Sequence, residues 1–385
     1  MRDVSIVGVG RTPVGEHWQM GLRQLALAAI QAALHDAGLE RVDALIVANA
    51  LGGNLSGQNH LGALIADVAG LAGVEALRVE AADASGGLAL RQGYLMVASG
   101  AAETVLVVGV EKATDRQGSE RGVALSTVLD ADYEAGQGAT PAAMAALLMR
   151  RYMYEFGVEL AQFEPFSINA HANGALNPFA MYRNRLREGA FGKAPMVAPP
   201  VSLFDGAPEG DGAAALVLTS TERASDMVPV PVRVRGSGAA SDTLALHNRA
   251  DMLFLRAANL AAGRAYAQAE IGPQDVDLAE LHDSYTVLTA LQLEAVGFAE
   301  RGRGWELAVQ GMIARDGRLP ISTFGGLKAR GNPLGATGVY QAAEVALQLR
   351  GEAGDNQVPG VRLGLALNLG GLGATAVAHV LERVE

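Results

Sequence analysis

The sequence predicts an α/β fold of alternating strands and helices, and three observations carry that prediction. Short runs rich in Val, Ile and Leu recur along the chain, the pattern of buried strands. Longer Ala- and Leu-rich stretches separate them, the pattern of helices. Of the 385 residues, 50% are hydrophobic and 18% charged, enough apolar surface for a large core. At about 150 residues per domain, the length fits two or three units or one large double unit.

The first run, 4–9, is a Val-rich strand followed by a helix over 21–37 and strands at 43–49 and 76–80. A helix at 85–99 opens on Ser85-Gly86-Gly87, and strands at 104–110 and 213–219 complete a first half. Between these last two, residues about 115–200 hold Met, Tyr, Asn, Pro and Arg in irregular spacing, as in Met181-Tyr182-Arg183-Asn184-Arg185-Leu186-Arg187, and read as an inserted loop subdomain. The polar stretch Thr221-Glu222-Arg223-Ala224-Ser225-Asp226, with Pro229 and Pro231 after it, divides the chain into halves 1–225 and 226–385. In the second half, strands at 230–235, 277–281 and 361–367 alternate with helices at 253–269, 286–296 and 336–350. Each half begins with a Val-rich strand ending in glycine (4–10; 232–238), has a glycine-flanked helix entrance (83–87; 331–338) and closes on a Gly-Ala stretch (212–218; 373–380). That correspondence favours two similar halves facing each other.

Several functions are excluded by composition. A net charge of −11 argues against a general binder of nucleic acid or anionic membrane. No basic segment followed by a long apolar stretch opens the sequence and no membrane-length apolar run follows, so a cytoplasmic protein without a membrane span is expected. The chain has no cysteine, which removes disulfides, thiolate metal sites and any cysteine nucleophile. No P-loop is present, and neither HExxH nor a histidine pair at ligand spacing supports a metal, so none is expected. Gly8-Val9-Gly10-Arg11-Thr12-Pro13 lacks the third glycine of a dinucleotide loop and is expected to form a tight turn.

Three stretches concentrate polar chemistry. Asp83, in Ala81-Ala82-Asp83-Ala84-Ser85-Gly86-Gly87, sits where a strand turns into a helix; it reads either as an N-cap or as a side chain presented at a helix N-terminus, ionised by the dipole. His282-Asp283-Ser284-Tyr285 closes a strand at its C-terminal end, where ligands bind in layered α/β folds. The loop 322–338, with Gly331-Asn332-Pro333 and Tyr340 on the helix after it, and the stretch 368–373 bring backbone close to a ligand or another segment.

Together these residues resemble the thiolase superfamily, in particular its archaeal and sterol-carrier-protein-type members, across essentially the whole chain. The resemblance rests on 79–88, on His171-Ala172-Asn173 through Asn177-Pro178 to Arg183, and on Asp205 with Asp211-Gly212-Ala213-Ala214. It is strongest in His282-Asp283-Ser284-Tyr285, 323–338 and 368–375. It implies a duplicated five-layer α-β-α-β-α fold with an inserted loop domain, a homodimer, and an acyl-CoA substrate whose carbon–carbon bond next to the thioester is made or cleaved. Coenzyme A would arrive as part of the substrate, with no tightly bound cofactor.

Similar thiolases use an elbow cysteine, a Gly-His-Pro histidine and a second cysteine. By the resemblance these positions fall at Asp83, Asn332 and Ser284, and an alternative cysteine position at Asn368. A carboxylate attacking a thioester would give a reactive mixed anhydride, so Asp83 is better cast as a general base or a ligand for a substrate hydroxyl. Asn332 and His282 would stabilise an enolate oxygen, and Asp83, Tyr285 and Tyr340 are the candidates for proton transfer in a retro-aldol step. Thiolase-like aldolases that work with a small OB-fold/zinc-ribbon protein imply such a partner. Arg183, Arg185, Arg187 and Lys193, with Lys328 and Arg330 as rivals, would meet the CoA phosphates. A catalytically silent acyl-CoA-binding or partner-binding subunit, and a true acetyl-CoA acetyltransferase acting through Asp83 or Ser284, are the alternative readings.

Overall fold

Valine, isoleucine and leucine runs that are apolar on both faces need cover on both faces, and the fold supplies it. The computed structural model describes residues 2–384. Its strands are β1 (Val4–Arg11), β2 (Ala44–Ala48), β3 (Glu75–Val79), β4 (Thr104–Glu111), β5 (Met196–Ala198), β6 (Val201–Ser202), β7 (Gly212–Ser220), β8 (Val232–Ser241), β9 (Leu278–Glu280), β10 (Leu363–Gly370) and β11 (Thr375–Arg383). Every residue of β2, β4 and β7 is buried.

Nine strands form one mixed sheet in the order β3-β2-β4-β7-β1-β8-β11-β10-β9. The order reflects about its centre. Outward from β1 run β7, β4 and β2; outward from β8 run β11, β10 and β9. Pairing senses match as well, since β1–β7 and β7–β4 are antiparallel and β4–β2 parallel, while β8–β11 and β11–β10 are antiparallel and β10–β9 parallel. The two halves join through a short antiparallel contact, Ser5↔Arg233 and Ile6↔Val232.

Helices Ser85–Ser99 and Thr337–Arg350 pack on each other between the halves, whereas Leu22–Asp36 covers the outer face of the first half and Arg256–Ala269 that of the second. Three apolar cores fill the spaces between these layers. This is the α-β-α-β-α layering that the resemblance implies.

Gly8 and Gly10 lie inside β1 rather than in a tight turn. A Cβ on either would stand 2.2 Å from Ala33 O or 2.1 Å from Ala29 O, so they let the helix Leu22–Asp36 lie directly on the strand. Gly236 and Gly238 do the same in β8, facing Ala265 O at 2.1 Å and Ala261 O at 2.0 Å. β8 runs on to Ser241, beyond the 235 expected from its valines, because its pairing with β11 continues to Thr375↔Ser241. The insertion is also more regular than its spacing implied. It holds helices Gly118–Ser126, Pro141–Phe156 and Glu164–Gly174 and the β5–β6 ribbon, and Thr140 caps the second helix by accepting the Ala143 N–H at 3.2 Å. Among the described residues no helix is long and apolar enough to cross a membrane.

Candidate active site

The connection from β3 to the helix Ser85–Ser99 turns through Ala82, whose φ of 51° places a non-glycine residue in the left-handed region. Ser85 clamps the turn: its hydroxyl accepts the Ala81 N–H at 2.9 Å and donates to Ala82 O. The helix is capped at Ala84 without a side-chain bond, so Asp83 is not its N-cap. Instead Asp83 lines an inner chamber of about 160 Å³ together with Glu209, Ser284, Tyr285 and Asn332. Leu51, Leu125, Val128, Leu334 and Leu372 supply its apolar wall.

Asp83 does not sit in the ordinary carboxylate range expected of a helix N-terminus. Burial, and then the charge of Glu209, push its carboxyl up to about 7, against the opposing N–H groups of Asp83 itself and Gly371. Desolvation and a like charge outweigh the helix terminus because the side chain points into the chamber.

Asn332 is oriented by two donors. Its Oδ1 accepts the Leu334 N–H at 3.0 Å and the Thr337 hydroxyl at 2.7 Å, which assigns the other side-chain atom as nitrogen. Among the described residues Nδ2 has no protein acceptor, which leaves its N–H groups to the chamber that Asn332 lines. Wall and loop are tied together by Glu111, which accepts the N–H groups of Ala50, Leu51 and Gly335 and the Asn49 amide.

Two of the residues expected to act in catalysis, His282 and Tyr340, lie apart from both chambers. His282 is buried, and Asn368 fixes its tautomer: Asn368 Oδ1 accepts the Gly87 N–H at 3.0 Å, so its Nδ2 faces His282 Nδ1 at 3.2 Å as donor. Burial, with Arg330's charge adding to it, lowers the imidazole to about 3 and keeps it neutral. Tyr340 is fully buried, donates to Thr12 O at 2.8 Å and lies with its ring 5.0 Å from the Arg330 guanidinium. Its hydroxyl is committed to the core, so the expected proton-transfer role gives way to a packing one.

An outer chamber of about 700 Å³ adjoins the inner one, and the two share Ala142, Ala207, Glu209 and Tyr285. Arg185 and Lys328 line it, with Arg121 as a cation that the sequence reading missed. Arg183, Arg187 and Lys193 are exposed and stand off its wall, because the chain carries them onto the outer surface of the insertion. Lys328 is buried, donates to Asp205 O and is lowered by burial against the pull of Asp205 and Asp283. Arg330 is fully buried in an ion pair with Glu344, away from solvent and from both chambers. His171 lines the outer chamber beside Tyr182, its ring stacked at 15°.

Asp211, within the resemblance, serves structure: it accepts from Lys112, Thr114 and the His17 N–H, contacts that hold it below its ordinary value despite burial. Glu209 is the main omission. Its parallel bridge to Asn332 spans the two halves, and only its charge amid Gly206-Ala207-Pro208-Glu209-Gly210 marked it in the sequence.

Residues 4–185 match the N-terminal domain of thiolase, and residues 238–383 match the thiolase C-terminal domain-like family. An acetyl-CoA acetyltransferase of Methanothermobacter thermautotrophicus is 43% identical over 385 residues, 100% of both chains. A steroid side-chain-cleaving aldolase of Thermomonospora curvata is 30% identical over 366 residues, 89% of each chain. Among solved structures, an Ltp2-ChsH2(DUF35) aldolase aligns with a TM-score of 0.86 at 26% identity, over 99% of this chain and 97% of that one. With both thiolase domains matched and one relative similar from end to end, the chain belongs to the thiolase family.

Proposed function

We infer that the protein binds an acyl-CoA thioester and cleaves or forms the carbon–carbon bond next to it without a covalent acyl-enzyme, by retro-aldol chemistry on a β-hydroxyacyl group. One observation carries this reading: in a chain with no cysteine, Asp83 and the free amide of Asn332 line one small chamber. A carboxyl near neutrality suits proton transfer, and an oriented N–H suits a developing enolate oxygen. The outer chamber, with Arg121, Arg185 and Lys328, suits the anionic and pantetheine parts of CoA, which enters with the substrate rather than as a resident cofactor.

The likeness to a steroid side-chain-cleaving aldolase supports this reaction class, and the DUF35 component of the Ltp2-ChsH2(DUF35) aldolase supports a small partner protein of the OB-fold/zinc-ribbon kind. A homodimer is supported by β3, an edge strand whose residues are exposed or half-buried. Acyl transfer is the second reading, favoured by the 43% identity to an acetyl-CoA acetyltransferase. Mass-spectrometric product analysis separates them. Purified protein, alone and with a DUF35-type partner, is mixed with β-hydroxyacyl- and β-ketoacyl-CoAs, with and without free CoA. Cleavage of the β-hydroxy substrate without added CoA is the expected result, and CoA-dependent cleavage of the β-keto substrate alone would overturn it.

A further inference from the structure

Glu209 has no role in the reading above, yet it stands where the two chambers meet. Main-chain hydrogen bonds fix its place beside the oxyanion donor: Gly210 N–H donates to Asn332 O at 3.0 Å, and Asn332 N–H donates to Pro208 O at 2.8 Å. The fold itself makes little use of its carboxyl, whose ion pair with Arg121 spans 3.8 Å between side chains 29% and 35% exposed. A chamber of about 160 Å³ is close to the roughly 150 Å³ of a cavity that holds benzene, so one small bound group reaches both Glu209 and Asp83.

We propose that Glu209 and Asp83 form a carboxyl pair that holds one proton, with Glu209 as the base and Asp83 as the acid of the carbon–carbon cleavage. The proposal rests on the retro-aldol reading for its reaction and on the chamber for its geometry. Two carboxyls facing one small space do not both ionise readily. Arg121 decides between them: burial raises both carboxyls, but the Arg121 guanidinium draws Glu209 back down, whereas the charged groups that act on Asp83, Glu209 and Glu80, raise it further against the N–H groups of Asp83 and Gly371. Tyr285 borders both carboxyls, and Glu16, Arg185 and Lys328 are the other charged groups lining the outer chamber on the Glu209 side. Negative charge therefore settles on Glu209 and the proton on Asp83, in line with the rise of Asp83 to about 7.

The step balances. Glu209 takes the β-hydroxyl proton as the oxygen forms a carbonyl, the Cα–Cβ bond breaks, and its electron pair enters the thioester as an enolate whose oxygen accepts from Asn332. Asp83 then gives its proton to Cα. A ketone or aldehyde and a shortened acyl-CoA result, and the pair again holds one proton, which returns from Glu209 to Asp83.

The test is an NMR titration of the full chain carrying carbon-13-labelled Asp and Glu carboxyls, in the wild type, Glu209→Gln and Asp83→Asn. Removing either partner is expected to lower the other's midpoint by about one unit; unchanged midpoints in both variants overturn the pair. In β-hydroxyacyl-CoA cleavage, the wild type is expected to show a bell-shaped pH profile. Glu209→Gln should lose the acidic limb and about 100-fold or more in kcat. Retention of the acidic limb in Glu209→Gln overturns Glu209 as the base. Coupled midpoints in a protein that cleaves no β-hydroxyacyl-CoA keep the pair and refute the reaction reading instead.

Discussion

Replacing Asn332 by Asp keeps the shape of the side chain and turns one atom from a hydrogen-bond donor into an acceptor. The Leu334 N–H and the Thr337 hydroxyl retain their acceptor, so the loop 332–337 should keep its conformation, while a third carboxyl beside Asp83 and Glu209 should lower the melting temperature as pH rises. What is lost is the N–H facing the chamber. One oxyanion donor contributes about 2.7–4 kcal/mol, so kcat for cleavage of a β-hydroxyacyl-CoA should fall about 100- to 1000-fold, with binding of a saturated acyl-CoA preserved. Thr337→Val provides the graded control. It removes one of two bonds that orient Asn332, worth about 1 kcal/mol, and should slow turnover about fivefold. Stopped-flow or discontinuous product assays on both variants, alongside calorimetric titration of the acyl-CoA, read the two effects separately. If Asn332→Asp turns over like the wild type while Thr337→Val does not, the amide is not the oxyanion donor and the orientation argument fails.

Stability should depend on pH through Asp83. A carboxyl raised from 3.8 to about 7 holds its proton in the folded state across that window, so folding loses stability as pH climbs through it. Asp83→Asn should therefore raise the melting temperature at pH 8 and leave it nearly unchanged at pH 4, as scanning calorimetry would show; a gain at pH 4 equal to that at pH 8 contradicts the assignment. Acyl groups larger than about six carbons exceed a chamber of benzene-binding size, so affinity in a saturated acyl-CoA series should fall beyond that length. Leu125→Ala should extend the limit, and an optimum that does not move with Leu125 would place the acyl group elsewhere. Gly236→Ala would put a methyl group 2.1 Å from Ala265 O and should destabilise the fold by more than about 4 kcal/mol, seen as loss of the soluble, cooperatively melting protein.

The layered fold was readable in the sequence because its buried strands are apolar on both faces and its helices are long. The helix over 85–99 matches its expected limits, and those over 286–296 and 336–350 begin or end one residue inside theirs. What could not be read were the places where small residues carry information by contact. Gly236 and Gly238 look like the end of a strand until the helix behind them is present. The polar clusters, separate in sequence, meet in space: Asp83, Ser284, Tyr285 and Asn332 line one chamber. Which way each side chain turns was hidden: His282 and Tyr340 face inward to Asn368 and Thr12, because adjacent residues on a strand end or helix point in different directions. Glu209 was hidden for another reason. Its pairing with Asn332 joins residues far apart in sequence, and no local pattern reports that register.

The mirrored sheet order places the chamber on the seam of a duplication. Asp83 and Glu209 come from one half, whereas Asn332 and the Ser284–Tyr285 corner come from the other. Gly86 and Gly338, one from each half, approach so closely that a Cβ on Gly86 would stand 2.7 Å from Gly338 N. Neither half carries a working constellation alone. A chimera that exchanges one half with a relative would therefore place the Asn332 amide opposite a different set of elbow side chains.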